Sequence, residues 1–316
     1  MPVRPPGEEN GVIRLQAAPA GPRPAEHGEG PVFDAAADEL VWVDITAGLI
    51  RRGRVSGDDV VDVAEHRGGN TVGFVVPAAA GGWLLGAGAG ITRLSAEGEA
   101  SLLIELTGEG GSEDSGGTRM NDGACDRAGR FFGGTMAFDE RPGAGTLYRL
   151  DLDGTVSTVL DGLTVSNGLG WSPDDRTVYL SDSGAKTVWA HPYDLDAGTF
   201  GERRVLLDFT DDPDGVADGL TVDDEGCLWT ALWGGGQVRR YSPEGELLVV
   251  VDVPGVENTT SCAFAGDLLV ISTSVHGLDD DARAAQPDAG RLFTVRTGVT
   301  GPAALPYRGP LGALRR

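Results

Sequence analysis

Six side chains carrying oxygen donors recur along the chain: Glu29, Asn70, Asn121, Asn167, Asp218 and Thr260, at intervals of 41, 51, 46, 51 and 42 residues. Each lies four residues ahead of an apolar residue, namely Phe33, Phe74, Cys125, Trp171, Val222 and Phe264. In four of the six a Gly follows within two residues, as in Asn167-Gly168 and Asp218-Gly219. Taken singly, Asn-Gly and Asp-Gly are turn dipeptides. Taken in register, two carboxylates, three amides and one hydroxyl converge if the chain returns to one place six times. Burying such a ring without partners is costly. A hard divalent cation satisfies it, because carboxylate and carbonyl oxygens are its preferred ligands.

Other chemistries find little support. His27, His66, His191 and His276 have no HExxH or similar spacing, which argues against a histidine zinc site. These histidines are expected to be solvated surface residues. There is no GxSxG elbow for a nucleophilic serine. The Gly-rich run Trp233-Gly-Gly-Gly236 opens no helix and is not read as a phosphate loop.

The elements that would position the six residues also repeat. Apolar strands begin near Val41, Leu84, Phe131, Val178, Leu228 and Leu268. Each is followed by a strand opening on Gly or a polar residue, such as Gly48-Leu-Ile-Arg51 and Gly236-Gln-Val-Arg239. Each is preceded by the short strand that carries one of the six polar positions. Units of ~40–50 residues built from short strands are the mark of propeller blades. The expected fold is therefore all-β, a six-bladed β-propeller with a metal site in its central channel. A β-sandwich, the competing all-β form, would need fewer and less regular units. Residues 1–25 are expected to form a partly irregular segment and residues 26–316 a single propeller domain. The early strand Val12-Ile-Arg-Leu15 is expected to complete the last blade and close the ring, which removes exposed edges.

Composition limits the partners. The formal net charge is −23, and such a surface repels nucleic-acid backbones and anionic lipid headgroups. No apolar run approaches the ~18–20 residues of a membrane span. Three well-separated cysteines, Cys125, Cys227 and Cys262, do not suggest a disulfide framework and fit a reducing compartment. The N-terminal residues lack the apolar core of a signal peptide. A cytoplasmic location, a monomer and no obligate protein partner are the expectations.

The motifs Gly28-Glu-Gly-Pro31, Arg119-Met-Asn-Asp-Gly123, Gly133-Gly-Thr-Met136, Ser166-Asn-Gly-Leu169, Asp218-Gly-Leu220, Glu225-Gly-Cys-Leu-Trp229 and Thr260-Ser-Cys262 occur in the order found in one family. In these motifs the chain resembles the senescence marker protein-30, gluconolactonase and luciferin-regenerating enzyme (regucalcin-like) family, over roughly residues 27–296. The resemblance implies a six-bladed propeller holding one divalent cation. It implies Glu29, Asn167 and Asp218 as metal ligands, and Arg119 and Asn121 as substrate contacts. Asp214, also in a Pro-Asp-Gly, falls outside the family pattern. An acidic residue after Gly-Thr-Met contacts sugar hydroxyls in some members; here it would be Asp139 or, with a poorer match, Glu140. Met120 departs from the usual residue between Arg119 and Asn121, a departure expected to bear on substrate choice.

The reading that follows is a hydrolase that opens a sugar lactone, such as gluconolactone or a pentonolactone. The cation would polarise the carbonyl, and Asp218 would assist attack by water. Oxygen ligands suit Ca²⁺, Mg²⁺ or Mn²⁺, and Zn²⁺ or Fe²⁺ also occupies such sites. Two alternatives stand beside it: a hydrolase of phosphoesters or non-sugar lactones on the same site, and a non-catalytic metal-binding regulator. Arg119 and Asn121 favour an enzyme, since a metal buffer has no need of them. The Gly- and Asp-rich loops 108–117 and 276–288 are expected to shape substrate fit.

Overall fold

The computed structural model describes residues 7–9, 11–21, 23–107, 116–312 and 314–315. Its strands form six antiparallel blades arranged in a ring. The innermost strands are Gly28–Asp34, Val72–Pro77, Thr118–Cys125, Ser166–Trp171, Val216–Val222 and Asn258–Ala265. Each packs against the inner strand of the next blade, and Asn258–Ala265 meets Gly28–Asp34 to close the circle. The fold expected from the repeats is the one observed.

Blade faces explain the sequence pattern. The second strands, such as Glu39–Asp44 and Leu268–Ser274, are buried along their whole length. A sheet covered on both sides has no polar face, so its strands read as continuous apolar runs. The core accordingly divides into six clusters, each shared by two adjacent blades. Trp229 and Ala231 of the fifth blade pack on Phe264 and Ile271 of the sixth. Leu268 and Val270 of the sixth meet Leu40 and Trp42 of the first. Burying one such side chain contributes about 1.5–3 kcal/mol, so the ring is held by its inter-blade seams.

Ring closure differs from the expectation. The strand that completes the sixth blade is Ala18–Ala20, which pairs with Leu292–Arg296. Val12–Gln16 instead lies parallel to Leu247–Asp252 on the outer edge of the fifth blade. The segment expected to be partly irregular thus supplies strands to two blades. The parallel pairing follows from direction: the chain runs along the fifth blade and then turns to seal the sixth.

Every inner strand carries a β-bulge at the same level. A bulge adds a residue to one strand, bends it and re-aims its side chains. Asn167-Gly168 and Asp218-Gly219 are therefore not turns; they are bulges inside strands. Glycine is required there by close approach. A Cβ on Gly168 would strike the backbone nitrogen of Leu220, and one on Gly219 would strike the Ser261 side chain. The same approach corrects one position of the ring. In the second blade the bulge residue is Gly73, where a Cβ would strike the carbonyls of Met120 and Asn121. Asn70 precedes the strand and is exposed.

Candidate functional site

The bulges bring Glu29, Asn121, Asn167 and Asp218 into one cleft of about 170 Å³ at one end of the channel, together with Arg119. All four bulge side chains are buried. Two capping carboxylates fix the strands that deliver Glu29 and Asn167. Asp44 accepts from the amides of Glu26 (2.9 Å) and His27 (3.1 Å) just ahead of Glu29. Asp182 accepts from Thr164 and Val165 just ahead of Asn167. These residues occupy equivalent places in the first and fourth blades, pairing with Gly28 and Ser166 respectively.

Within the cleft, Asn167 Nδ2 donates to Ser183 Oγ (3.1 Å) and to the Asp218 carboxylate. Ser183 in turn donates to the Ala217 carbonyl at 2.7 Å, holding the residue before Asp218. Arg119 Nη1 donates to Asn121 Oδ1 at 2.7 Å, and Asn121 Nδ2 donates to the Ser166 carbonyl at 2.9 Å. Arg119 and Asn121 therefore act as one unit with a fixed orientation.

Burial sets the electrostatics. It pushes Glu29 well above the usual carboxylate range, and the negative charges of Asp218 and Asp122 add to the push. Asp218 is raised for the same reasons, with burial again the larger cause and Asp122 the next. Burial raises Asp122, the next residue of the third bulge, to about 7. Burial brings Arg119 down to about 10 against the pull of Glu29, Glu140 and Asp218. Two buried carboxylates with an amide beside them and more negative than positive charge nearby form a donor set suited to a hard divalent cation. Among the described residues no three His, Cys, Asp or Glu side chains are grouped to hold a metal. Asn167 is the oxygen-bearing side chain beside the two buried carboxylates Glu29 and Asp218.

Other expected residues fall elsewhere. Asp139 is exposed and pairs with Arg141 at 2.8 Å; Glu140, with φ at 53°, lines the cleft in its place. The left-handed backbone at Glu140 turns the loop so that the second acid faces inward. Thr260 is a bulge residue, but its hydroxyl is used inside the protein, donating to the Gly28 carbonyl at 2.7 Å and sharing a 2.7 Å bond with Ser272. It ties the sixth blade to the first and does not line the cleft. Met120 is fully buried between the second and third blades, because strand alternation sends it away from its neighbours Arg119 and Asn121. Asp214 lies outside the cleft and pairs with Arg239.

The histidines require a correction. His27 and His191 are buried, not solvated, and His27 and His276 line the cleft with Trp233. No motif marked these three; the one signal in the sequence was the adjacency of His27 to Gly28-Glu29. Residues 108–115 of the first expected specificity loop lie outside the described residues. The second loop carries the short helix Asp280–Ala285, capped by Asp279, and is pinned by the ion pair of Arg283 with Glu26.

The opposite end of the channel opens into a cleft of about 210 Å³ lined by Asp122, Trp171 and Pro302–Leu305. There the C-terminal segment crosses the ring, its Ala304 and Tyr307 amides bonded to the Phe33 and Pro77 carbonyls. The smaller cleft is the one that gathers the donors. Among the described residues no helix is long and apolar enough to cross a membrane. Cys125, Cys227 and Cys262 are free and buried.

Comparison with known proteins agrees with this fold. Residues 27–274 match the family model described as SMP-30/Gluconolactonase/LRE-like region. The chain is 37% identical over 292 residues to regucalcin of Danio rerio, covering 90% of this chain and 95% of that protein. Among solved structures, a calcium-binding protein, regucalcin, from Agrobacterium tumefaciens superposes with a TM-score of 0.84 at 28% identity, over 93% of this chain and 99% of that one. A luciferin-regenerating enzyme superposes with a TM-score of 0.80 at 27% identity, over 90% of this chain and 96% of that one.

Proposed function

Because the chain belongs to the SMP-30/gluconolactonase/LRE-like family, we propose that it is a divalent-metal-dependent lactonase acting on a sugar lactone. The observation that carries this reading is the convergence of Glu29, Asn167 and Asp218 beside the oriented Arg119–Asn121 pair in one cleft. Glu29, Asn167 and Asp218 would hold the cation. When bound, it supplies Lewis-acid polarisation of the carbonyl and stabilises the negative charge developing there.

The protein's own residues do the remainder. Asp218 takes a proton from the attacking water, whose oxygen bonds to the lactone carbonyl carbon. Held against the cation it would be a weak base, which suits a strained ester that needs modest help. The ring C–O bond then breaks, the ring oxygen takes the proton from Asp218 and becomes a hydroxyl, and the acid formed ionises and releases one proton to solvent. Arg119 and Asn121 orient the ring hydroxyls. Glu140 accepts from a hydroxyl on the same side, its charge balanced by Arg119.

The same proposal takes a small sugar lactone as partner, with no nucleic acid or membrane, and a cytoplasmic location consistent with three free cysteines. The test is proton release from a panel of aldonolactones, non-sugar lactones and phosphoesters, with and without chelator. Chelator-sensitive turnover of gluconolactone or a pentonolactone is expected. Turnover confined to phosphoesters or non-sugar lactones would move the assignment to those classes. Inactivity on the whole panel with cation binding intact would make the protein a cation-binding regulator.

A further inference from the structure

One wall of the cleft is aromatic. The His27 ring lies 4.9 Å from that of His276, stacked at 21°, and 5.5 Å from Trp233, tilted at 37°. The three come from different blades: His27 precedes the first inner strand, Trp233 ends the second strand of the fifth, and His276 follows the second strand of the sixth. The backbones of His27 and His276 are fixed where the ring closes. His27 donates to Asp44 and accepts from Ile45 (2.9 Å). His276 donates to Ser274 Oγ (2.9 Å), and its carbonyl accepts from Asn258 (3.1 Å). Arg119, Asn121 and Glu140 supply the polar lining of the same cleft.

We propose that His27, Trp233 and His276 form a specificity wall that stacks on the face of a ring-shaped substrate and favours the closed lactone over the open hydroxy acid. The inference rests on the lactonase reading and names the substrate shape for that site. A sugar ring presents C–H bonds on its face and hydroxyls on its edge. The C–H face matches the electron-rich face of aromatic rings, while the hydroxyls are left to Arg119, Asn121 and Glu140. Ring opening turns that face into a flexible chain, so the stack is lost and the product leaves. The wall is preorganised, so little freedom is lost when the ring docks.

The experiment compares the intact, cation-loaded protein with Trp233→Leu, Trp233→Phe and His276→Ala, measuring kcat and KM for gluconolactone and inhibition by gluconate. His276 is exposed, so its removal leaves the fold intact. Trp233→Leu is expected to raise KM about fivefold, with kcat and gluconate inhibition nearly unchanged. His276→Ala should act in the same direction, and Trp233→Phe should restore KM. An unchanged KM, or KM and gluconate inhibition weakening together, would overturn the inference. If the wild-type protein turns over no lactone, fluorescence titration with 1,5-anhydroglucitol and open-chain glucitol tests the wall alone. The ring is expected to bind about fivefold more tightly, with the preference lost in Trp233→Leu; equal or absent binding would refute it.

Discussion

Asn167 donates from Nδ2 to the Asp218 carboxylate across the boundary between the fourth and fifth blades, although 51 residues separate them. Each is the first residue of a bulge, and each precedes a glycine that lets the next inner strand approach. The bond makes the register of two blades a condition for assembling the site. Burial, and after it the charge of Asp122, raises the energy of the Asp218 carboxylate, and the Asn167 bond relieves part of that.

Replacing Asp218 with Asn removes the proton acceptor while nearly preserving shape. Asp218→Asn should lower kcat by about 10²–10⁴-fold, measured by proton release at saturating lactone. Retention of near-normal turnover with the cation still bound would rule out the base role.

The acids after Gly-Thr-Met should separate cleanly. Glu140→Gln removes a charged partner from the cleft and should raise KM about fivefold. Asp139→Asn breaks only an exposed pair with Arg141, a contact worth ~0–1 kcal/mol, and should leave both constants within about twofold. The reverse result would return the substrate contact to Asp139.

Burial of the carboxylates, with repulsion adding at Glu29 and Asp218, predicts a pH effect. Glu29 and Asp218 lie above their ordinary range and Asp122 is at about 7. For an acid whose folded pKa is raised, the fold favours the neutral form. That contribution is complete below the unfolded pKa and is lost as pH rises through the folded one. Metal-free protein should therefore lose stability from this cluster as pH rises above about 4, with the Asp122 share lost by about 7. A divalent cation compensates the ionised form, so its addition should raise Tm more at about pH 7.5 than at about pH 5, read by thermal melts in both conditions. A cation effect independent of pH would count against the cluster.

The ring was legible in the sequence because the same residue types recur beside the same strand in Glu29, Asn121, Asn167 and Asp218. Asn70 was misplaced because Phe74 is not the counterpart of Phe33. The counterpart is Pro77, and four residues ahead of it stands Gly73, which has no side chain to detect. Thr260 was placed correctly, but its hydroxyl turns to a neighbouring blade, a matter of rotamer and packing that spacing does not encode. The closing strand was missed because Ala18–Ala20 is short and weakly apolar, whereas Val12–Gln16 has the stronger strand pattern. His27, Trp233 and His276 escaped notice because three blades contribute one residue each, and no local motif joins them.

The central claim is that Glu29, Asn167 and Asp218 hold one cation on which lactone opening depends. The direct measurement is the initial rate of gluconolactone opening by metal-stripped protein, titrated with Mn²⁺ or Ca²⁺ beside the Glu29→Gln variant. The account predicts a rate that starts near background and saturates at one cation per chain, with the variant needing at least about tenfold more cation for half-saturation. Stripped protein that turns over lactone at the full rate, or a variant that titrates like the wild type, would contradict it.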